Sequence, residues 1–282
     1  MIRKPVVGGY FYPDNPQELT ETIEACYKHT LGASGKTVPS QGKLTGLILP
    51  HAGYIYSGPT VTWGMARLKK EEPMPRRFLI LGPNHRVIGR VAAVSPAEAW
   101  ETALGQVKLD EELRNELVAS GHFKADSEAH SQEHSIEVQI PFLQHLYGKE
   151  SFSVLPVSLQ HTLTLSNCEK LGNTLGTVLS GARFKDVCVI ISSDFSHETP
   201  KAEAYSLDSQ ALDMIERIDP AGFYEMVVSE NRSICGFVPI TVFLFAIKNR
   251  KIHATRLKYS TSMDVASHPR GVGYAAVSFE EK

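Results

Sequence analysis

Short runs of consecutive apolar residues alternate along this chain with longer stretches in which apolar positions recur every three or four residues. That is the pattern of buried strands alternating with amphipathic helices. Leu44 to Leu49, Phe78 to Gly82, Ser153 to Leu159 and Val187 to Ser192 read as strands buried on both faces. Leu19, Ile23, Cys26 and Tyr27 follow Asn15-Pro16, which supplies a cap and a proline at the first helical position. Pro59 to Lys69 reads as a helix opened by its proline, and Asp110 to Ala119 as a short helix. Glu133 to Leu146 is a helical stretch bent or broken near Pro141. Ser166 to Leu179, Ala202 to Arg217, Pro220 to Ser229 and Gly236 to Lys248 complete the helices, and Ile252 to Tyr259 and Gly273 to Phe279 read as closing strands. The alternation predicts an α/β fold, a mostly parallel sheet sandwiched by helices. No repeat or low-complexity tract breaks it, and Ala33 to Gly42 reads as a surface loop, so one domain is expected over residues 1–282.

Three of the strands end alike. LTGLIL runs into Pro50-His51-Ala52-Gly53, FLILG into Pro83-Asn84-His85, and VCVIISS into Asp194-Phe195-Ser196-His197. The carboxyl ends of parallel strands line the ligand crevice of an open α/β sheet, so these ends aim metal-ligand and acid/base groups at one spot. Proline stops the strand before His51 and the glycines after it turn the chain, which leaves the imidazole at the sheet edge. It reads as a ligand or acid/base group, against the alternative of a strand-end histidine satisfied by a carbonyl. His85 has the same grammar. Asp194 and His197 share one turn, which suits an orienting carboxylate beside a general acid or base, while Asp194 could instead cap that turn. His134, in Glu133-His134-Ser135-Ile136-Glu137, reads as a substrate-facing acid/base or as an ordinary interface histidine. Tyr54, Tyr56 and Phe195 form either a wall for an aromatic or peptide ligand or packing.

Charge and cysteine usage narrow the class. A formal net charge of -2 lacks the basic excess that binding nucleic acid needs. The longest apolar stretch, Phe237 to Ile247, is too short for a membrane span, and Met1 to Pro5 opens no signal peptide, so a soluble cytoplasmic protein is expected. Cys26, Cys168, Cys188 and Cys235 form no CxxC pair, which disfavours a zinc ribbon or a disulfide framework. Cys26 and Cys188 read as buried hydrophobes and Cys168 has no assigned role. Cys235 stands at the start of a helix, where backbone N–H groups and the dipole favour a thiolate.

The segments PHAGYIYSG, ILGPNH, EHSIEVQIPF, SSDFSH and SICG, in this order and spread over nearly the whole chain, resemble the motifs of the Memo family. Its prokaryotic members are also called AmmeMemoRadiSam system protein B, a name that implies a radical-SAM protein as partner. The family is similar in fold to class III extradiol dioxygenases, whose non-haem Fe(II) is held by two histidines and a glutamate. The resemblance implies His51, His85 and Cys235 as metal ligands, with His134, Asp194 and His197 as further residues of the site. A thiolate in place of the carboxylate departs from the dioxygenase triad and widens the expected metal from Fe(II) to copper or zinc. Three readings follow: a non-haem metal oxidoreductase acting on a small molecule, a peptide-binding adaptor using the pocket as the signalling association of animal members implies, and a zinc-assisted hydrolase.

Overall fold

The structure is a computed structural model that describes residues 1–148 and 151–282. Its strands are β1 (Ile2–Arg3), β2 (Lys43–Leu49), β3 (Arg77–Pro83), β4 (Ala92–Val94), β5 (Ala99–Thr102), β6 (Gly105–Leu109), β7 (Lys124–Ala125), β8 (Ser153–Leu159), β9 (Val187–Ser192), β10 (Ile252–Thr261) and β11 (Gly273–Glu281). Its helices are α1 (Pro16–Lys28), α2 (Tyr54–Leu68), α3 (Glu111–Ala119), α4 (Glu128–Ser131), α5 (Ile140–Tyr147), α6 (Leu165–Ser180), α7 (Lys201–Glu216), α8 (Pro220–Ser229), α9 (Phe237–Ile247) and α10 (Ser262–Val265). The strands form one sheet in the order β1-β5-β6-β8-β3-β9-β2-β11-β10, with β4 joined to β8 and β7 to β4. The centre, β8-β3-β9-β2, is parallel, and β11 and β10 close one side antiparallel.

The continuous apolar runs are explained by burial on both faces. Along β2, β3 and β9, Ile48, Leu79, Leu81, Val189 and Ile191 point into a core built with α3, α6, α7, α8 and α9. Their neighbours Leu47, Leu49, Phe78, Ile80, Cys188 and Ile190 point into a second core built with α1, α2 and α5. Alternate residues of a strand face opposite ways, so a sheet covered on both sides needs apolar residues at every position. Among the described residues no helix is long and apolar enough to cross a membrane. α9 is apolar all round because it is buried between the sheet and α6.

Two expectations change in detail. α2 begins at Tyr54 and not at Pro59, which lies inside the helix. Its start is set by long-range and local bonds: Tyr54 N–H donates to Phe11 O at 2.8 Å, and the Ser57 hydroxyl reaches back to Ala52 O at 2.7 Å. Pro59 withholds only the bond that Ile55 O would accept, on a turn where Ile55 is exposed to solvent. The earlier start brings the His51 loop directly onto the helix N-terminus. Pro141 restarts the second stretch instead of bending it: Glu137–Gln139 is a single 3₁₀ turn, and α5 follows with Pro141 in its first turn.

β4, β5, β6, β7 and α4 carry a feature with a pH consequence. His130 is buried beside Trp100, with Nε2 at 3.2 Å from Ala93 O and, among the described residues, no partner for Nδ1. Burial first, and then the Arg3 charge, pull its pKa down to about 4. In the unfolded chain a histidine titrates near 6.5. Above that value both states are neutral and the stability is intact; as pH falls from 6.5 towards 4, only the unfolded chain takes up the proton and stability is lost. From pH 7.5 to pH 5 this one group should cost about 2 kcal/mol. Urea titrations at both pH values should show the acid-induced loss smaller by about that amount in His130→Gln than in the unaltered protein.

Candidate metal centre

β2, β3 and β9 are adjacent and parallel, so the loops at their carboxyl ends open on one edge of the sheet. Those loops carry His51, His85 and Asp194 to His197, and the turn before α9 brings Cys235 against them. The ligand atoms of His51, His85 and Cys235 all lie within 4.8 Å of one another. Glycine permits this packing at Gly236, where a Cβ would come within 2.4 Å of the Ser193 side chain.

The hydrogen bonds assign the state of each imidazole. His51 N–H donates to Asp194 Oδ1 at 2.8 Å, and its Nδ1 lies 2.9 Å from Ser192 Oγ. Ser192 has a single proton, which it donates to Ser135 O at 2.6 Å, and it already accepts from Gln139 Nε2 at 2.9 Å. His51 Nδ1 is therefore the donor, and Nε2 presents its lone pair to Cys235 Sγ at 3.2 Å. His85 reaches the same tautomer by a different partner. Its backbone N–H donates to Glu133 Oε2 at 2.7 Å and its Nδ1 lies 2.9 Å from Glu133 Oε1, an acceptor that has no proton to give back. His197 Nδ1 is 2.7 Å from the Ser233 carbonyl, which also only accepts. All three histidines thus carry a proton on Nδ1 and turn Nε2 away from these partners.

Electrostatics keep His51 and His134 free of imidazolium charge. Burial first, then the neighbouring His134, His85 and His197, hold His51 well below the usual histidine range. Burial likewise lowers His134 to about 4, with Glu133 opposing and His85 reinforcing the shift. Burial alone would raise Glu133, but the bond and charge of His85 outweigh it and hold that carboxylate at about 2. Asp194, also buried, is pushed up to about 6. Its carboxylate is no local turn cap, since it bonds to the backbone of His51 across the sheet edge.

The expected thiolate at Cys235 is corrected by its surroundings. Burial and then the Asp194 charge push the thiol well above its ordinary value, although Sγ accepts the Asp194 N–H at 3.3 Å. A helix N-terminus alone does not make a thiolate when a carboxylate stands beside the sulfur. A metal cation bound here would displace the thiol proton.

A second group, His85, Glu133 and His134, also has its donor atoms within 4.8 Å of one another. Its bonds hold the His85 and His134 loops together. Glu133 accepts from His85 Nδ1, His134 N–H at 3.0 Å and Ser135 N–H at 2.8 Å on Oε1, and from His85 N–H on Oε2. The His134 ring stacks on His85 with centroids 4.7 Å apart and 17° between planes, and Phe11 meets its other side edge-on at 4.7 Å.

Of the aromatics, Tyr54 and Phe195 are buried packing, Tyr56 is partly exposed, and the residue that touches the cluster is Phe11. An open pocket of about 390 Å³ leads to the sulfur between His85, His161, His197, Ser233 and Phe237. His161 also lines this pocket, while His130 is bonded elsewhere. Behind the pocket, Asp208 accepts the Ser196 hydroxyl at 2.5 Å and the Tyr259 hydroxyl at 2.6 Å, which anchors the loop carrying Asp194 and His197. Glu133, Gln139, Ser192 and Asp208 were not legible as functional side chains. The repeated polar positions of EHSIEVQ were the nearest signal.

Residues 3–278 match the Memo-like protein family. The chain is 39% identical over 284 residues to a MEMO1 family protein of Pyrobaculum aerophilum, covering 99% of each. It is 39% identical over 285 residues to one from Methanopyrus kandleri, again covering 99% of each. A Nitrosopumilus maritimus relative is 35% identical over 99% of this chain and 100% of its own. The crystal structure of an uncharacterized protein from Escherichia coli K12 superposes with a TM-score of 0.57 over 84% of this chain and 99% of that one. At 14% identity that likeness concerns the fold alone.

Proposed function

We propose that this chain, which belongs to the Memo-like protein family, binds one transition metal through His51 Nε2, His85 Nε2 and Cys235 Sγ and acts as a non-haem oxidoreductase on a small molecule. The observation that carries the reading is the convergence of three donors within 4.8 Å, with both imidazoles locked in the tautomer that frees Nε2. Three protein donors beside an open pocket leave coordination positions for exogenous ligands. Fe(II) is the first choice by the family's dioxygenase-like resemblance, and the soft sulfur makes copper and zinc the alternatives. When bound, such a metal supplies Lewis acidity and, for iron or copper, one-electron chemistry.

The chain's own residues supply the rest. His197, with Nδ1–H held by Ser233 O, offers Nε2 as a proton acceptor on the pocket wall. His134 is neutral, faces the same cluster and is held flat by Phe11 and His85. Asp194 fixes the backbone of His51 and the sulfur together.

The test is reconstitution of metal-free protein, without oxygen, with Fe(II), Cu(I) and Zn(II) in parallel, followed by metal counting and dioxygen uptake. One equivalent of iron or copper and substrate-dependent oxygen consumption are expected. Stable loading by zinc alone, with hydrolysis of an ester panel, would move the reading to a hydrolase. Failure of every metal to bind would overturn it in favour of an adaptor. One observation speaks for that second reading: Tyr10, next to Phe11, is 89% exposed and Ile55, in the first turn of α2, is 65% exposed, an apolar rim suited to a peptide.

A further inference from the structure

We propose that residues 133–139 act as one positioning segment for both metal histidines, Glu133 holding His85 directly and Gln139 holding His51 through Ser192. The inference rests on the metal reading above and adds what makes the two imidazoles competent donors.

The segment grips each histidine twice, once at the ring and once at the chain leading into it. On the His85 side, the Glu133 carboxylate takes the ring Nδ1–H and the backbone N–H, while the Ser135 hydroxyl donates to Pro83 O at 3.1 Å. On the His51 side, Gln139 Nε2 donates to Ser192 Oγ and to Pro50 O, both at 2.9 Å, and Ser135 O takes the Ser192 proton. Gly82 is the residue that admits this contact, since a Cβ there would sit 2.6 Å from Ser135 Oγ and from the Ile136 side chain. Glu133, Ser135, Gln139 and Ser192 are each at most 1% exposed. Water cannot substitute for these partners at low cost.

The direction of each bond matters more than its presence. Ser192 is obliged to accept from His51 because its proton is committed to Ser135 O and a second donor, Gln139, already points at its oxygen. Remove Gln139 and the hydroxyl is free to turn, donate to His51 Nδ1 and drive the ring proton onto Nε2, the atom that should bind the metal. Glu133 enforces the same tautomer on His85 with a charged acceptor. The two histidines therefore differ in what holds them: a carboxylate takes the Nδ1–H of His85, and a serine hydroxyl that of His51.

Metal-free protein labelled with ¹⁵N-histidine reports both tautomers by long-range ¹H–¹⁵N correlation, and Zn(II) competition titration reports affinity. In the unaltered protein His51 and His85 should both show the Nδ1–H pattern. Glu133→Gln should disturb the His85 pattern and leave His51 in place, and Gln139→Met should do the reverse, so each variant's untouched histidine checks that the fold is intact. Each should weaken Zn(II) binding about 10- to 100-fold. Nε2–H on either ring in the unaltered protein, or variants that retain its tautomers and affinity, would overturn the inference. The expected tautomers in a protein that takes up no Zn(II), Fe(II) or Cu(I) would support the positioning segment and sink the metal reading instead.

Discussion

Cys235→Ala is expected to bind its metal about 10²- to 10³-fold more weakly than the unaltered chain. Structural zinc sites with four protein ligands are worth roughly 10–16 kcal/mol, or about 3 kcal/mol a ligand, and tenfold in affinity is about 1.4 kcal/mol. Alanine also removes the only sulfur of the proposed set, so the loss should be steeper for Cu(I) and Zn(II) than for Fe(II). The fold should survive, because the Sγ contacts with the Asp194 backbone, His51 and Ser193 are weak ones. His197→Ala is the matched control. His197 lies on the same pocket wall but its bond to Ser233 O commits it to a different task, so its loss should leave affinity within a few-fold and reduce turnover. Isothermal titration of both variants with each metal decides the matter. Equally large losses in the two would mean that His197 holds the metal as much as Cys235 does, and a negligible loss in Cys235→Ala would mean that Cys235 is no ligand.

The strand ends were readable because proline and glycine act locally. A proline before His51 or His85 ends a ladder whatever the rest of the chain does, and a parallel sheet gathers such ends on one edge. The two cores were readable for a similar reason, since unbroken apolar runs in β2, β3 and β9 leave no face for water. What escaped the sequence is set by distant partners. Glu133 acts on a histidine 48 positions earlier, and Ser192 acts on one 141 positions earlier. The thiolate expected at Cys235 failed because a local rule about helix ends could not see the burial of the sulfur or the charge of Asp194, which is 41 positions away in the chain. β1, β4 and β7, of two or three residues, exist only through their pairing partners and carry no periodicity of their own. Phe11 escaped for the same reason: nothing near Tyr10 and Tyr12 indicates that Phe11 closes on His134.

The segment that positions the histidines is itself held from behind, and Glu137 is where that hold is concentrated. Its carboxylate is 1% exposed and pairs with the Arg3 guanidinium, accepts Val6 N–H at 2.9 Å and Val7 N–H at 3.1 Å, and accepts the Tyr12 hydroxyl at 2.6 Å. Arg3 is fixed by the same neighbourhood, donating to His130 O and Glu133 O and lying 4.2 Å from the centre of the Trp100 ring. Glu137→Ala should destabilise the protein by about 3–5 kcal/mol, the usual cost of leaving a buried charge without its partner. Arg3→Met combined with Glu137→Leu should recover part of that loss, because no uncompensated charge then remains. The consequence should reach the metal. Once released, the chain from Val6 to Tyr12 no longer presses Phe11 onto His134, and the turn containing Glu133 and Gln139 loses its backing. Zn(II) affinity of Glu137→Ala, measured at a temperature where the variant is still folded, should therefore fall although Glu137 touches no ligand. An undiminished affinity in the folded variant would mean that the grip on His51 and His85 is set within residues 133–139 alone, and that the N-terminal strap serves stability only.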